Sequence, residues 1–205
     1  MADWDSDSAA LRANLTRLVG RLHEQARGRA QPTLQLPREW HRAMMRGLDV
    51  PEPAYVGNFR GDAEAAAPLA GCRAWVGPKE GVPPDRVGPE LARFEQRLQA
   101  AVAALDLRVV PGAQPDADSL HAVVASTGWV HAEWVRVHPF ANGNGRTARL
   151  WANFVALRYG LPPFVRLRPR PGGLLYAVAS RAAMSGDPGP TIELFRVMLF
   201  EHLTA

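Results

Sequence analysis

One cysteine (Cys72), one lysine (Lys79) and no apolar run long enough to span a bilayer: these scarcities bound the chain before any motif is read. A single thiol excludes an internal disulfide. The first residues, Met1-Ala2-Asp3-Trp4-Asp5-Ser6-Asp7, are acidic and have neither the basic nor the apolar region of a signal peptide, so a reducing, cytoplasmic setting is expected. Without a spanning segment no membrane partner is expected. Without a basic stripe interleaved with aromatics, or a recognisable module, neither is a specific nucleic acid. His131 and His138 stand seven residues apart, but no cysteine or acidic residue joins them at ligand spacing, which argues against zinc. Because lysine is nearly absent, the formal charge of +4 rests on arginine, in a chain also rich in alanine and glycine. That bias speaks to polyanion binding, not to fold.

What is present suits one domain, 1–205, with a full core. Leu11, Leu15, Leu18 and Leu22 mark an amphipathic helix within an N-terminal segment, 1–31. Pro32 and Pro37 read as a break, followed by a helix over 38–46 that ends at Gly47, with Trp40, Met44 and Met45 in the core and His41 structural or exposed. Segment 51–89 is rich in glycine and proline, with short strand-capable pieces at Tyr55–Phe59 and Cys72–Gly77. Such a length without regular structure is either a connecting loop or a functional segment. A helix is predicted from Pro89 through Leu91, Phe94, Leu98, Val102 and Leu105. Asp118 or Ser119 is expected to cap another, running through Trp129 and Trp134, with His131 a hydrogen-bonded core residue. Two further helices follow, from Leu174 and from Thr191.

One segment, within a core at 119–163, asks for a chemical explanation: His138-Pro139-Phe140-Ala141-Asn142-Gly143-Asn144-Gly145-Arg146-Thr147-Ala148-Arg149. Pro139 disfavours helical geometry at His138 and places it on a loop. The Gly143-Asn144-Gly145 turn can adopt positive φ and point successive N–H groups into one concavity, as a phosphate nest requires. A helix then begins, with Leu150, Phe154 and Leu157 on its apolar side and Gly160 at its end, so the nest lies at a helix N-terminus. Arg146 and Arg149, three apart, can reach one polyphosphate.

This segment resembles the signature of the Fic family, His-Pro-Phe-x-(Asp/Glu)-Gly-Asn-Gly-Arg-x-x-Arg, at every fixed position except the acidic one, which is Asn142. The resemblance implies a mainly α fold, a Fic-type helical bundle with a small β-hairpin flap over the active site. The flap is expected within 51–89, with Arg73 to Gly77 as its candidate strand, holding a target segment by main-chain pairing. It also implies transfer of AMP from ATP to a Ser, Thr or Tyr hydroxyl of a target protein. In that reading His138 is the base, Gly143, Asn144, Gly145, Arg146 and Arg149 hold the phosphates, and Asn142 stands at the Mg²⁺ position. Gly145 occupies the place of the lysine that marks the phosphate-transferring Doc branch.

Asn142 leaves alternatives open, because Mg²⁺ prefers charged oxygen: an attenuated or non-catalytic module binding a nucleotide or phosphate ligand, or transfer of a different phosphate-containing group. The intact His138 favours the enzyme. Many Fic proteins also carry an inhibitory helix, (Ser/Thr)-x-x-x-Glu-(Gly/Asn), whose glutamate pairs with the last motif arginine. No glutamate in this sequence has Ser or Thr four residues before it. Restraint by a small partner protein, or low intrinsic activity, is the expectation that follows.

Overall fold

The structure, a computed structural model, describes residues 8–62, 67–113 and 115–204; the acidic leader at 1–7 lies outside these. Its elements are α1 (Ala9–Arg27), α2 (Gln35–Met45), a 3-10 turn (Pro53–Tyr55), α3 (Ala67–Ala70), β1 (Trp75–Val76), β2 (Lys79–Glu80), α4 (Pro84–Asp106), α5 (Ala117–Val137), α6 (Asn144–Arg158), α7 (Leu174–Ala183) and α8 (Gly189–Thr204). The mainly α architecture with a small antiparallel hairpin is as expected. No helix among the described residues is long and apolar enough to cross a membrane.

The bundle is organised around α6, which α5 and α1 flank, while α5 also carries α4, α7 and α8. An amphipathic stripe is too modest a description of α6: every residue from Thr147 to Arg158 is buried. Aromatic side chains fill the space around it. Trp40 of α2 meets Trp151 edge-on at 4.8 Å, and Phe94 of α4 reaches both Trp134 (5.3 Å) and Trp151 (5.7 Å). Phe140, from the loop before α6, joins the cluster through Phe59 at 5.0 Å and Trp134 at 6.0 Å. Offset and edge-to-face contacts of this kind add about 0.5–1.5 kcal/mol each beyond area burial. The loop is therefore anchored by the core it adjoins.

Several boundaries differ from the sequence expectation. Pro37 sits inside the first turn of α2 and does not break it, because N–H groups there have no intrahelical acceptor to lose. Helix α4 begins at Pro84, not at Pro89, which is accommodated inside the helix behind Gly88; glycine lacks the Cβ that clashes with a following proline ring. The cap of α5 is Asp116, whose carboxylate accepts the Ser119 N–H at 2.7 Å. Tyr55 ends a 3-10 turn instead of beginning a strand.

Helices α5 and α8 approach so closely at Gly128 that a Cβ there would lie 2.7 Å from Ile192 Cα. Gly20, exposed on α1, has nothing within 4 Å of the same position. Gly128→Ala should therefore lose about 1–3 kcal/mol by overpacking, whereas Gly20→Ala should gain about 0.5–1 kcal/mol from helix propensity. Urea unfolding of the two variants checks this; a gain at both positions contradicts the close crossing.

Candidate active site

Helix α5 ends at Val137, and His138 caps it in the left-handed region at φ 53°, its N–H donating to the Trp134 carbonyl at 3.0 Å. The imidazole Nδ1 lies 3.0 Å from the Val135 carbonyl. A carbonyl only accepts, so Nδ1 carries the proton and the Nε2 lone pair is left for the cavity that His138 lines. Burial, against the opposing effect of the Val135 hydrogen bond and with help from the Arg60 charge, pulls the His138 pKa down to about 4. The ring is a neutral proton acceptor at ordinary pH.

Geometry at His138 depends on Arg60, a residue the sequence reading passed over. Its guanidinium is buried and donates to four carbonyls: His138 (2.8 Å), Val137 (3.2 Å), Cys72 (2.9 Å) and Val82 (2.9 Å). Its main-chain N–H adds a bond to Pro139 at 2.7 Å. Arg60 thus ties the end of α5 to both approaches of the hairpin. Gly81 completes the contact, since a Cβ there would lie 2.7 Å from His138 Cβ.

Gly143 has φ 79° and serves as the N-cap of α6, while Asn144 and Gly145 are already helical. The anticipated Gly-Asn-Gly turn is thus one left-handed glycine followed by a helix start, whose first N–H groups lack partners within the helix. The Asn144 side chain faces inward: its Oδ1 accepts the Phe140 N–H and its Nδ2 donates to the Phe140 carbonyl, both at 2.8 Å. What Asn144 leaves to the start of α6 is its main chain. His41 braces the loop from behind, accepting the Gly57 N–H on Nδ1 at 2.9 Å and so donating from Nε2 to the Asn142 carbonyl at 3.1 Å.

His138, Asn142, Gly143, Asn144, Gly145, Arg146 and Arg149 all line one cavity of about 550 Å³. Arg149 is only 5% exposed and donates to the Tyr176 hydroxyl and the Leu167 carbonyl, both at 3.2 Å. Tyr176 in turn lies 3.0 Å from His131 Nε2, which makes His131 the hydrogen-bonded core residue expected. The hairpin pairs Trp75 with Glu80 and Val76 with Lys79, bringing Arg73, Ala74 and Trp75 to the cavity. Its strands are two residues each, and Lys79 fastens it to the Ser185 hydroxyl after α7. Arg170, from the loop between α6 and α7, completes the wall. A larger groove of about 670 Å³ runs between α7 and α8, but it contains none of the motif residues and no comparable convergence of donors.

A family model described as the Fic/DOC family matches residues 31–156. Among curated proteins, the protein adenylyltransferase fic-1 of Caenorhabditis elegans is 54% identical over 35 residues, 17% of this chain and 7% of that protein. The protein adenylyltransferase Fic of Drosophila persimilis is 45% identical over 47 residues, 23% of this chain and 9% of its own length. The chain thus spans less than a tenth of these relatives. Among solved structures, a Fic-domain signaling protein of Bacteroides thetaiotaomicron superposes with a TM-score of 0.61 at 16% identity, over 95% of this chain and 68% of the other. The BepC effector protein of Bartonella tribocorum, with bound AMPPNP, gives 0.59 at 15% identity, over 97% and 90%. At such identities these likenesses carry the fold.

Burial holds three imidazoles neutral: His41 and His138 titrate at about 4 and His131 at about 3, against an ordinary value of 6.5. Between those values and 6.5 the unfolded chain binds more protons than the folded one. Stability therefore rises with pH across this window and is lost as pH falls from about 6.5 toward 4. Urea unfolding at pH 7 and pH 5 should differ by on the order of 1–2 kcal/mol per histidine. Equal stability at the two pH values contradicts their burial as neutral rings.

Proposed function

This chain belongs to the Fic/DOC family, and from that premise we propose that it is a protein adenylyltransferase, moving AMP from ATP to a Ser, Thr or Tyr hydroxyl of a target protein. The observation that carries the reading is the placing of a proton-accepting His138 Nε2 and the α6 N-terminus on one cavity. A helix start with its dipole and main-chain N–H groups is suited to phosphate, and Arg146 and Arg149 add charged donors beside it. The names of the short-span relatives and the AMPPNP bound to BepC favour a nucleotide as the phosphate ligand.

In the proposed step the target hydroxyl lies against His138 Nε2 and its oxygen attacks the α-phosphorus. The bond from that phosphorus to the β-phosphate's bridging oxygen breaks, the hydroxyl proton passes to Nε2, and pyrophosphate departs. A pKa near 4 by itself makes His138 a weak base. An anionic polyphosphate beside it favours imidazolium and raises that value when the base is needed. The exposed β1 edge offers main-chain groups to which an extended target segment adds as a strand, with Trp75 alongside. Among the described residues no carboxylate pairs with Arg149, so restraint of the activity falls to a small partner protein or to a low intrinsic rate.

The test is incubation of the purified chain and a cell extract with ATP labelled at the α-phosphate. Wild type should label protein. His138→Ala should lose about 10²–10⁴-fold in rate, with ATP affinity nearly unchanged. Equal labelling by the variant rejects His138 as the base. Tight ATP binding by wild type with no labelling assigns a nucleotide-binding module instead.

A further inference from the structure

The Mg²⁺ position of the resemblance is a poor fit to the residues present. A hard cation there needs a charged oxygen with lone pairs turned toward the phosphates. Asn142 supplies an uncharged amide, and its Oδ1 already accepts from the Gly143 N–H and, at 2.9 Å, from Arg146 Nη2. A cation at that oxygen would displace a guanidinium and meet its repulsion. Among the described residues, none that lines the cavity is a carboxylate. Among the described residues, no group of three or more His, Cys, Asp or Glu side chains could hold a metal.

Positive charge, in contrast, is abundant and fixed to the protein. Arg73, Arg146, Arg149 and Arg170 all line the cavity. Arg73 is offset by Glu80, which it meets through two bonds of 2.6 and 2.9 Å. Arg149 is different: at 5% exposure it donates only to a hydroxyl and a carbonyl, and its Nε has no hydrogen-bond partner among the described residues. Its aromatic-ring neighbour His131 is neutral and adds no negative charge. A guanidinium buried without a counter-ion is costly, and an anion entering the cavity removes that cost. Guanidinium also pairs with phosphate oxygens two at a time, which a single metal position does not require.

We propose that arginine side chains take the place of the divalent cation here, so that Arg146, Arg149 and Arg170 neutralise a nucleoside polyphosphate and its binding does not need Mg²⁺. Asn142 then has a role of its own. It orients Arg146 through Oδ1 without adding the negative charge that a carboxylate would bring against the phosphates. The inference rests on the nucleotide reading above and deepens it.

The experiment is calorimetric titration of the whole chain with ATP, once in EDTA and once in excess Mg²⁺, repeated with Asn142→Asp. Wild type should bind with dissociation constants within about threefold of each other, well under the factor that 1.4 kcal/mol would produce. Affinity should also fall as salt screens the arginines. Asn142→Asp should bind at least tenfold more weakly in EDTA, with Mg²⁺ restoring the loss. Wild-type binding that appears only with Mg²⁺ overturns the inference and leaves the nucleotide reading standing. Absence of binding under both conditions removes the nucleotide reading and this inference with it. An Asn142→Asp protein indifferent to the metal and as tight as wild type shows that position 142 does not face the phosphates, which also overturns it.

Discussion

The buried guanidinium of Arg60 is the constraint on which the rest of the site depends. Holding a histidine at φ 53° costs roughly 1–3 kcal/mol. Hydrogen bonds from a charged donor are worth about 1.5–3 kcal/mol each, and Arg60 makes four of them to carbonyls on either side of that strained position and at the hairpin's two ends. The balance favours the strained loop, provided every one of those carbonyls is in place. Histidine, helix end and hairpin are therefore not three independent features. Movement of the hairpin would strip acceptors from a buried cation, so the hairpin and His138 are set in register by one side chain.

A second layer fixes the loop from the opposite side. His41 joins Gly57 to the Asn142 carbonyl and stacks on Phe140 at 4.1 Å, while Phe140 enters the aromatic core shared by α2, α4, α5 and α6. The turn at the start of α6 thus inherits the rigidity of the bundle. In the reaction proposed, donors held in this way would stabilise developing charge without reorganising. Arg149 belongs to the same design: buried on α6 and steadied by Tyr176, it presents charge from a fixed position.

How much of this was legible follows from the range of each interaction. His138 through Arg149 could be read because their relations are local: a proline after a histidine, a glycine before a helix, arginines one turn apart. The existence of the helices was equally plain from apolar spacing. Arg60 and His41 were not legible, because their partners lie 78 and 101 residues away and nothing in Phe59-Arg60-Gly61 is periodic. The abundance of arginine concealed Arg60 further, since a compositional bias gives no reason to single out one. Asn144 is a partial case: its place at the start of the helix was legible from the motif, but the commitment of its side chain to Phe140 was not. Burial of α6 on all sides also escaped the sequence, where Asn153 and Arg158 look polar; both are satisfied inside the fold, by the Val165 main chain and by Asp106.

His138 is held by its surroundings as a neutral imidazole with Nε2 open to the arginine-lined cavity. Long-range proton–nitrogen correlation spectra of the ¹⁵N-histidine-labelled chain at pH 7 read the tautomer of each imidazole directly. The account predicts that His138 is protonated on Nδ1 alone, through its bond to the Val135 carbonyl, and remains so when the pH is lowered to 5. A proton on Nε2 at pH 7, or titration near the ordinary value of 6.5, contradicts it.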